Sequence, residues 1–296
     1  MQPELRHLRY LQAVAAHGNF TRAAQDLHVS QPTLSQQIQQ LERGIGAQLL
    51  DRSGRSVRLT DAGQAYLEHA QRALRELAAG QRAVHDVTDL SRGHLRLAVT
   101  PTFTAYLVAP LIAELHHHHP GITVTIREMS QESMENKLLA DELDLGVAFD
   151  QPHVQGVRAT TLFTETLIAV AGVSSTVERL TAKTVEHQPL ALITTDFATR
   201  DHIDAYFTQH RIAPRIVLEA NSIQALIEIV RHTSLVTVLP DAIAARHLQL
   251  RPVPLEPPLP TRTVTLLAHE GTYQTAAARA FARLTREYVS RVMPQR

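Results

Sequence analysis

Apolar residues recur every third or fourth position through the first forty residues. Leu5, Leu8, Leu11 and Val14 give a first helix one apolar face, and Gly18 stands where that helix should stop. "TRAAQDL" (21–27) reads as a second, short helix. Ser30 can cap a third, with Pro32 tolerated in its first turn, and Leu34, Ile38 and Leu41 mark its buried stripe. Residues 46–60 change period. "SGR" is a turn there, and Val57 and Leu59 alternate with arginine, which predicts a β-hairpin. From Asp61 to about Leu90 there is no proline and one glycine, Gly80. Leu67, Ala70, Leu74, Leu77, Gln81 and Val84 step by three and four, a short heptad seam. Such a helix is about 45 Å long, more than the small head before it can cover. The seam is therefore expected to bury itself against a second copy. "SRGH" (91–94) reads as a hinge.

The remainder alternates apolar strands with amphipathic helices. "HLRLAVT" (94–100), "ITVTIREM" (122–129) and "LDLGVAF" (143–149) are strands; "FTAYLVAPLIAELHHHH" (103–119) and "QESMENKLLADE" (131–142) are helices. "LALIT" (190–194), "RIVLEA" (215–220) and "LVTVLP" (235–240) repeat the arrangement around the helices "RDHIDAYFTQH" and "SIQALIEIVRH". This alternation predicts two α/β lobes with parallel sheets and helices on both faces. "TLFTETLIAV" (161–170) and "TRTVTLLAH" (261–269) are the expected crossings between them. The expected organisation is a small helical head over 1–60, a long self-pairing helix and hinge over 61–92, and an α/β part over 93–296. Within the last, subdomain I spans about 93–162 plus 268–296, and subdomain II about 163–267. Ligands in such folds sit at the carboxyl ends of strands and between lobes.

Overall charge is uninformative, with 29 basic and 29 acidic residues. Its distribution says more. Residues 1–60 carry Arg6, Arg9, Arg22, Arg43, Arg52, Arg55 and Arg58 against Glu4, Asp26, Glu42 and Asp51, an excess of +3. That sign suits a head that faces nucleic acid. The absence of cysteine excludes disulfides, thiolate metal sites and thiol redox chemistry. The start has no apolar run of signal-peptide length and no stretch is long enough to span a bilayer. A cytoplasmic protein without a membrane partner is expected.

The third helix carries the first constellation. Ala23 and Ala24 are small enough to let two helices meet at a tight turn, as a helix-turn-helix requires. With Leu34, Ile38 and Leu41 turned inward, Ser30, Gln31, Pro32, Thr33, Gln36, Gln37 and Gln40 are candidates to face DNA, with Gln39 to the side. Glutamine can bond adenine bidentately, and serine or threonine can serve a base or a phosphate. The free amides at the helix start suit a phosphate. A merely solvated face normally favours Glu and Lys, yet between Asp26 and Glu42 there is no lysine and no acid. Arg52, Arg55 and Arg58 on the hairpin are candidates for phosphate or minor-groove contact.

"FTRAAQDLHVSQPTLSQQIQQLERGIGAQLLDR…RLTDAG" resembles the N-terminal signature of LysR-type transcriptional regulators over some forty-five residues. The resemblance implies a winged helix-turn-helix, a long dimerisation helix, and a C-terminal pair of α/β subdomains like those of periplasmic binding proteins. It further implies a homodimer or homotetramer on a double-stranded DNA operator and contact with RNA polymerase that an effector alters. "VTPTFTAYL", "EMSQE", "DELDLGVAF", "FATRDHID", "EANSI" and "QTAAARAF" are similar to the cyanate-responsive branch of the family. That implies cyanate or a similar small anion as effector. A different effector, such as an organic acid, or a binding module that acts without DNA, are the alternatives.

The residues themselves offer a pocket of matching character. Thr100, Pro101 and Thr102 end one strand and open a helix; Ser130 and Gln131 do the same at the next, and Phe149 ends a third. In the other lobe Thr195, Phe197 and Thr199 precede a helix, and Asn221 begins another. Each hydroxyl can equally be a plain helix cap, but several fall at strand ends in both lobes. The set is polar and uncharged, with Arg200 nearby. Four histidines, His116 to His119, offer only His116 and His119 on one helical face and read as a solvated helix end, so no metal and no cofactor are expected. No G-x-S-x-G, phosphate loop or G-x-G-x-x-G occurs, and no catalytic residues or enzyme activity are expected.

Overall fold

The computed structural model describes residues 3–54, 56–88, 93–151 and 153–293. They fall into two compact units, Met1–Val84 and His85–Arg296.

The first unit begins with α1 (Leu5–His17), α2 (Phe20–Asp26) and α3 (Gln31–Ile45). Gly18 ends α1 with φ of 57°, a left-handed turn that glycine adopts without a Cβ penalty. Asn19 then caps α2 by accepting from the amides of Thr21 and Arg22. Ala23 and Ala24 are buried where α2 meets its neighbours, and Leu34, Ile38 and Leu41 fill the core from α3. A short antiparallel wing of β1 (Leu50–Asp51) and β2 (Arg58–Leu59) follows. The face of α1 differs from the periodic expectation at its start. Leu5 is 48% exposed, while the polar His7 is fully buried.

Helix α4 (Asp61–Thr88) has 28 residues. Its first turn lies against the wing so closely that a Cβ on Gly63 would meet the Leu49 carbonyl oxygen at 1.9 Å. Leu67 joins the core of the head and Ala70 is buried, but Leu77 further along the heptad seam is 47% exposed. Of the expected hinge, Ser91 and Arg92 lie outside the described residues; Gly93 and His94 open β3.

The second unit contains two five-stranded sheets. The first has the order β4-β3-β5-β14-β6, with β3 (Gly93–Val99), β4 (Ile122–Glu128), β5 (Leu145–Phe149), β6 (Val157–Glu165) and β14 (Arg262–His269). The second has the order β10-β9-β11-β7-β12, with β7 (Leu167–Gly172), β9 (Pro189–Ile193), β10 (Arg215–Ala220), β11 (Val236–Pro240) and β12 (Leu250–Val253). A small pair, β8 (Leu180–Thr181) and β13 (Leu255–Glu256), lies beside the second. The βα units pair in parallel, β3 with β4 and β5, and β9 with β10 and β11. The sheets are nevertheless mixed, because the crossing strands β14 and β7 enter antiparallel to their neighbours. The expected strand 161–170 breaks at Thr166, so that β6 ends in one sheet and β7 begins in the other.

Helices cover the sheets. After β3 the chain runs through α5 (Pro101–Phe103), a π-helical turn (Thr104–Val108) and α6 (Ala109–His118). Pro110 accounts for the wide turn. It has no N–H for the Tyr106 carbonyl, and its ring crowds that oxygen. The carbonyl accepts from the Arg246 guanidinium instead. His116, His117 and His118 are exposed at the end of α6. Helix α7 (Gln131–Leu139) follows β4. In the second lobe stand α8 (Ala182–Val185), α9 (Ala198–Gln209), α10 (Ile223–His232) and α11 (Asp241–Ala244); α12 (Ala276–Val292) returns to the first sheet. One apolar cluster runs through both lobes, from Leu97 and Phe281 to Ile193 and Leu226. No helix among the described residues is long and apolar enough to cross a membrane.

Candidate DNA-reading surface and effector cleft

On α3, Ser30 caps the helix by accepting from the Thr33 amide at 3.2 Å, and the two hydroxyls lie 2.7 Å apart. Ser30, Gln31, Pro32, Thr33, Gln36 and Gln39 are exposed; Gln37 and Gln40 are half-buried. The glutamines therefore sort differently from the expectation. Successive residues turn 100° about the axis, which sets Gln36 almost opposite the Leu34, Ile38 and Leu41 stripe and Gln37 on its flank. Gln37 is engaged inside the head. The Glu4 amide donates to His7 Nδ1 at 3.0 Å, which places the neutral ring's proton on Nε2. That nitrogen donates to Gln37 Oε1 at 2.9 Å, and Gln37 Nε2 donates to Gln40 Oε1 at 3.3 Å. Gln37 holds α3 against α1, and Gln39 takes its place on the outer face.

Sequence reasoning also passed over Arg43. It is exposed, lies four and seven residues beyond Gln39 and Gln36, and its Nε donates to the Gln39 carbonyl at 3.3 Å. The i, i+3, i+7 spacing of Gln36, Gln39 and Arg43 was the available signal.

On the wing, Arg52 pairs with Glu42 at 3.0 Å and its guanidinium sits 5.0 Å from the Phe20 ring centre. Glu42 in turn accepts from the amides of Leu49 and Leu50. Arg52 thus clips the wing to α2 and α3. Arg58 is exposed across the ladder from Asp51. The backbone N–H of Ser53, then its hydroxyl, hold the Asp51 carboxyl below its usual range. Arg55 lies outside the described residues.

The cleft residues divide into an inner and an outer set. Thr100, Thr102, Gln131, Phe149 and Thr199 are buried, as is Pro101; Thr195 and Asn221 are exposed, and Ser130 and Phe197 are half-buried. The hydroxyls of Thr100 and Thr102 lie 3.4 Å apart. Ser130 caps α7. Gln131 Oε1 accepts from the Phe149 amide at 3.2 Å and its Nε2 donates to Glu135 at 3.0 Å, so its amide fastens the end of β5. Glu135 also accepts from the Val154 amide and pairs with His153 at 2.8 Å. Burial pushes this carboxyl up, but the hydrogen bonds from His153, Val154 and Gln131 outweigh it and leave the group below its usual value.

A charged group lies among these uncharged ones. Arg262, at the start of β14, stacks its guanidinium 3.6 Å from the Phe149 ring centre. Its Nη1 donates to Thr199 Oγ1 at 2.9 Å and its Nε to Glu165 Oε2 at 2.5 Å. The other Glu165 oxygen accepts from the Tyr106 hydroxyl. Burial, with Glu165 beside it, pushes the Tyr106 hydroxyl well above its usual value, so it remains a donor. Burial pulls Arg262 down and Glu165 offsets part of that; a guanidinium stays charged regardless. One chain of bonds thus links the first lobe through both crossing strands to α9 of the second. Arg200, the expected source of positive charge, serves its own lobe, donating to Asp204 at 2.9 Å, to the Ile193 carbonyl at 3.0 Å and to Glu219. Among the described residues no cluster of three or more potential ligands could hold a metal.

Known proteins match this arrangement along its length. Residues 5–64 match the bacterial regulatory helix-turn-helix protein family of lysR type, and residues 88–290 match the LysR substrate binding domain. The chain is 32% identical over 245 residues to the nitrogen assimilation regulatory protein nac of Klebsiella aerogenes, covering 82% of this chain and 80% of that one. Over 145 residues it is 43% identical to the SDS degradation transcriptional activation protein of a Pseudomonas species, covering 49% and 47%. Full-length CbnR in complex with its target DNA shares the fold, with a TM-score of 0.67 at 24% identity, over 96% of this chain and 99% of that one. Full-length OxyR from Pseudomonas aeruginosa gives 0.70 at 24% identity, over 98% and 95%. These relatives are regulators of transcription, not enzymes. The chain belongs to the LysR family of bacterial helix-turn-helix regulators, with a DNA-binding head and a substrate-binding domain.

Proposed function

We propose that this LysR-family regulator is switched by a small anion, cyanate or one chemically like it, held between its two α/β lobes. The observation that carries the reading is the buried set of hydroxyls, Thr100, Thr102 and Thr199, at strand and helix ends, the last of them bonded to the Arg262 guanidinium. Hydroxyls and one cation suit a compact anion rather than an apolar ligand. Ligand binding favours one arrangement of the lobes over another and so shifts the population of two assemblies on DNA. On the DNA, Ser30, Gln31, Pro32 and Thr33 approach the backbone or the first base, and Gln36 with Gln40 and Gln39 read the major groove. Arg58, Arg55 and Arg43 supply phosphate contacts. The exposed Leu77 on the α4 seam supports a homodimer, or a pair of dimers, which sets two reading helices about 34 Å apart. RNA polymerase receives the signal, and the protein acts in the cytoplasm.

Footprinting of the DNA beside its own gene, with and without cyanate, tests both halves. We expect a protected region whose length or cleavage pattern changes with cyanate. No protected region would sink the regulatory site assignment on α3. Protection that ignores cyanate but answers to an organic acid would replace the effector.

A further inference from the structure

His7 is fully buried, yet both of its ring nitrogens are engaged. Its Nδ1 faces the backbone amide of Glu4 at 3.0 Å. A backbone N–H can only donate, so Nδ1 accepts and the neutral ring carries its proton on Nε2. The rest of the chain of bonds can run in one direction only. The Nε2 proton needs an acceptor, so the end of the Gln37 amide that lies 2.9 Å away is the oxygen. The nitrogen end of Gln37 is then directed at Gln40 and needs an acceptor too, which makes the Gln40 atom at 3.3 Å an oxygen. Turning either amide round would set two donors against each other, and a buried donor left unmet is costly. The neighbouring carboxylates are engaged elsewhere, Glu4 with Arg6 at 2.8 Å and Glu42 with Arg52 at 3.0 Å.

We propose that His7 is a positioning residue for DNA reading: through Gln37 it holds the Gln40 oxygen inward, so that Gln40 reads DNA as a donor and selects a keto base. The inference rests on the reading of α3 given above and deepens it at one position. A glutamine that presents both ends of its amide bonds adenine, accepting from N6 and donating to N7. With its oxygen bound to Gln37, Gln40 lacks the accepting half of that pair. Its nitrogen carries two protons and so has one for a base whatever else it meets. In the major groove guanine O6 and thymine O4 accept, whereas adenine and cytosine turn amino groups to the same place. A donor is therefore matched by guanine or thymine and opposed by the amino group of adenine or cytosine. Gln36, almost opposite the buried stripe, is not part of this chain of bonds, so the restriction belongs to Gln40. A backbone amide before α1 thus sets a base preference on α3.

The test selects duplexes from a random library with the full-length protein and reads base preference position by position. Wild type is expected to prefer guanine or thymine about fivefold at one position of each half-site, the worth of one neutral hydrogen bond. Gln40→Ala should lose that preference and no other, and Gln40→Lys, a donor only, should keep it. Gln37→Glu is the decisive variant. Its carboxylate still accepts from His7 but has no proton for Gln40, so the Gln40 amide turns round to donate to it and offers its oxygen to the base. The preference at that position should then move to adenine or cytosine, again by about fivefold. His7→Leu removes the source of direction and should admit adenine beside guanine there, with the other positions unchanged. Should His7→Leu not fold, Gln37→Glu still decides. A His7 that only packs would weaken binding alike at every position in His7→Leu and leave Gln37→Glu with the wild-type preference; that result overturns the relay, as does a wild type that prefers adenine at the Gln40 position. If Gln40→Ala shifts no position, the placement of Gln40 at a base edge fails and the inference with it.

Discussion

On α3, Gln36, Gln39, Ser30 and Thr33 stand in solvent. In the lobes, Thr100, Thr102 and Thr199 are each at most 2% exposed, and Arg262, which donates to Thr199, is bonded to a carboxylate 97 residues away. The head presents its chemistry on a surface whose shape is fixed by apolar residues beneath. The cleft makes its chemistry part of the interior. An exposed polar group on α3 can be changed with little effect on folding, whereas a buried one in the lobes, such as Arg262, holds strands together. Recognition and stability are separable in the first region and joined in the second.

The largest expected effect tests the joined case. Removing one partner of a buried ion pair typically costs about 3–5 kcal/mol, while replacing both by apolar groups of similar volume costs far less. Arg262→Ala or Glu165→Ala should each destabilise by that amount in urea unfolding, and the double change Arg262→Met with Glu165→Leu should recover most of it. Equal losses in the single and double variants would show that the pair is not what links these strands. The separable case predicts the reverse pattern on α3. Gln36→Ala should leave stability within about 0.5 kcal/mol and reduce discrimination at one base position by about 1–3 kcal/mol. Gln37→Ala should do the opposite, losing about 1 kcal/mol of stability with its bond to buried His7 and leaving base preference at the Gln36 position intact. Selection from a random duplex library, read beside thermal melts, separates the two.

A smaller effect distinguishes the wing arginines. Arg58→Ala should lower the slope of log affinity against log salt by about 0.9, the value of one phosphate contact. Arg52→Ala should change the slope less, because its guanidinium is held by Glu42. The smallest effect is on pH. Glu135 is held below its usual value of 4.5, so its contribution is complete above that pH and is lost as pH falls through the lower folded value. Glu135→Gln should flatten the stability profile on the acid side of pH 4.5 and leave it unchanged near neutrality.

The contrast also explains what could be read along the chain. Leu34, Ile38 and Leu41 announce the orientation of α3 through local spacing, and Gly18, Asn19 and Ser30 mark helix ends with side chains that act within a few residues. His7 escapes the same reading, because a polar residue on an apolar stripe looks like an interruption until Gln37 is seen to satisfy it. The place of Gln37 was within reach of the 100° rotation alone. In the lobes, strand ends and helix starts were legible, and with them the places of Thr100, Thr102 and Thr199. The role of Arg262 was not. "TRTVTLLAH" is an ordinary strand opening on an arginine, and nothing near it names Glu165, Tyr106 or Phe149 as partners. Mixed sheets were hidden for a like reason, since strand direction depends on which lobe the chain is leaving.

Pro110 has a consequence for movement within the lobes. By denying the Tyr106 carbonyl its helical partner, it hands that oxygen to Arg246 of the second lobe, while the hydroxyl of the same tyrosine reaches Glu165 on a crossing strand. Tyr106 is thus pinned at both ends, like an axle seated in two bearings. A swing of one lobe against the other has to turn about this residue or pull it from one seat. The missing amide of a single proline thus leaves free the oxygen that ties Tyr106 to the second lobe.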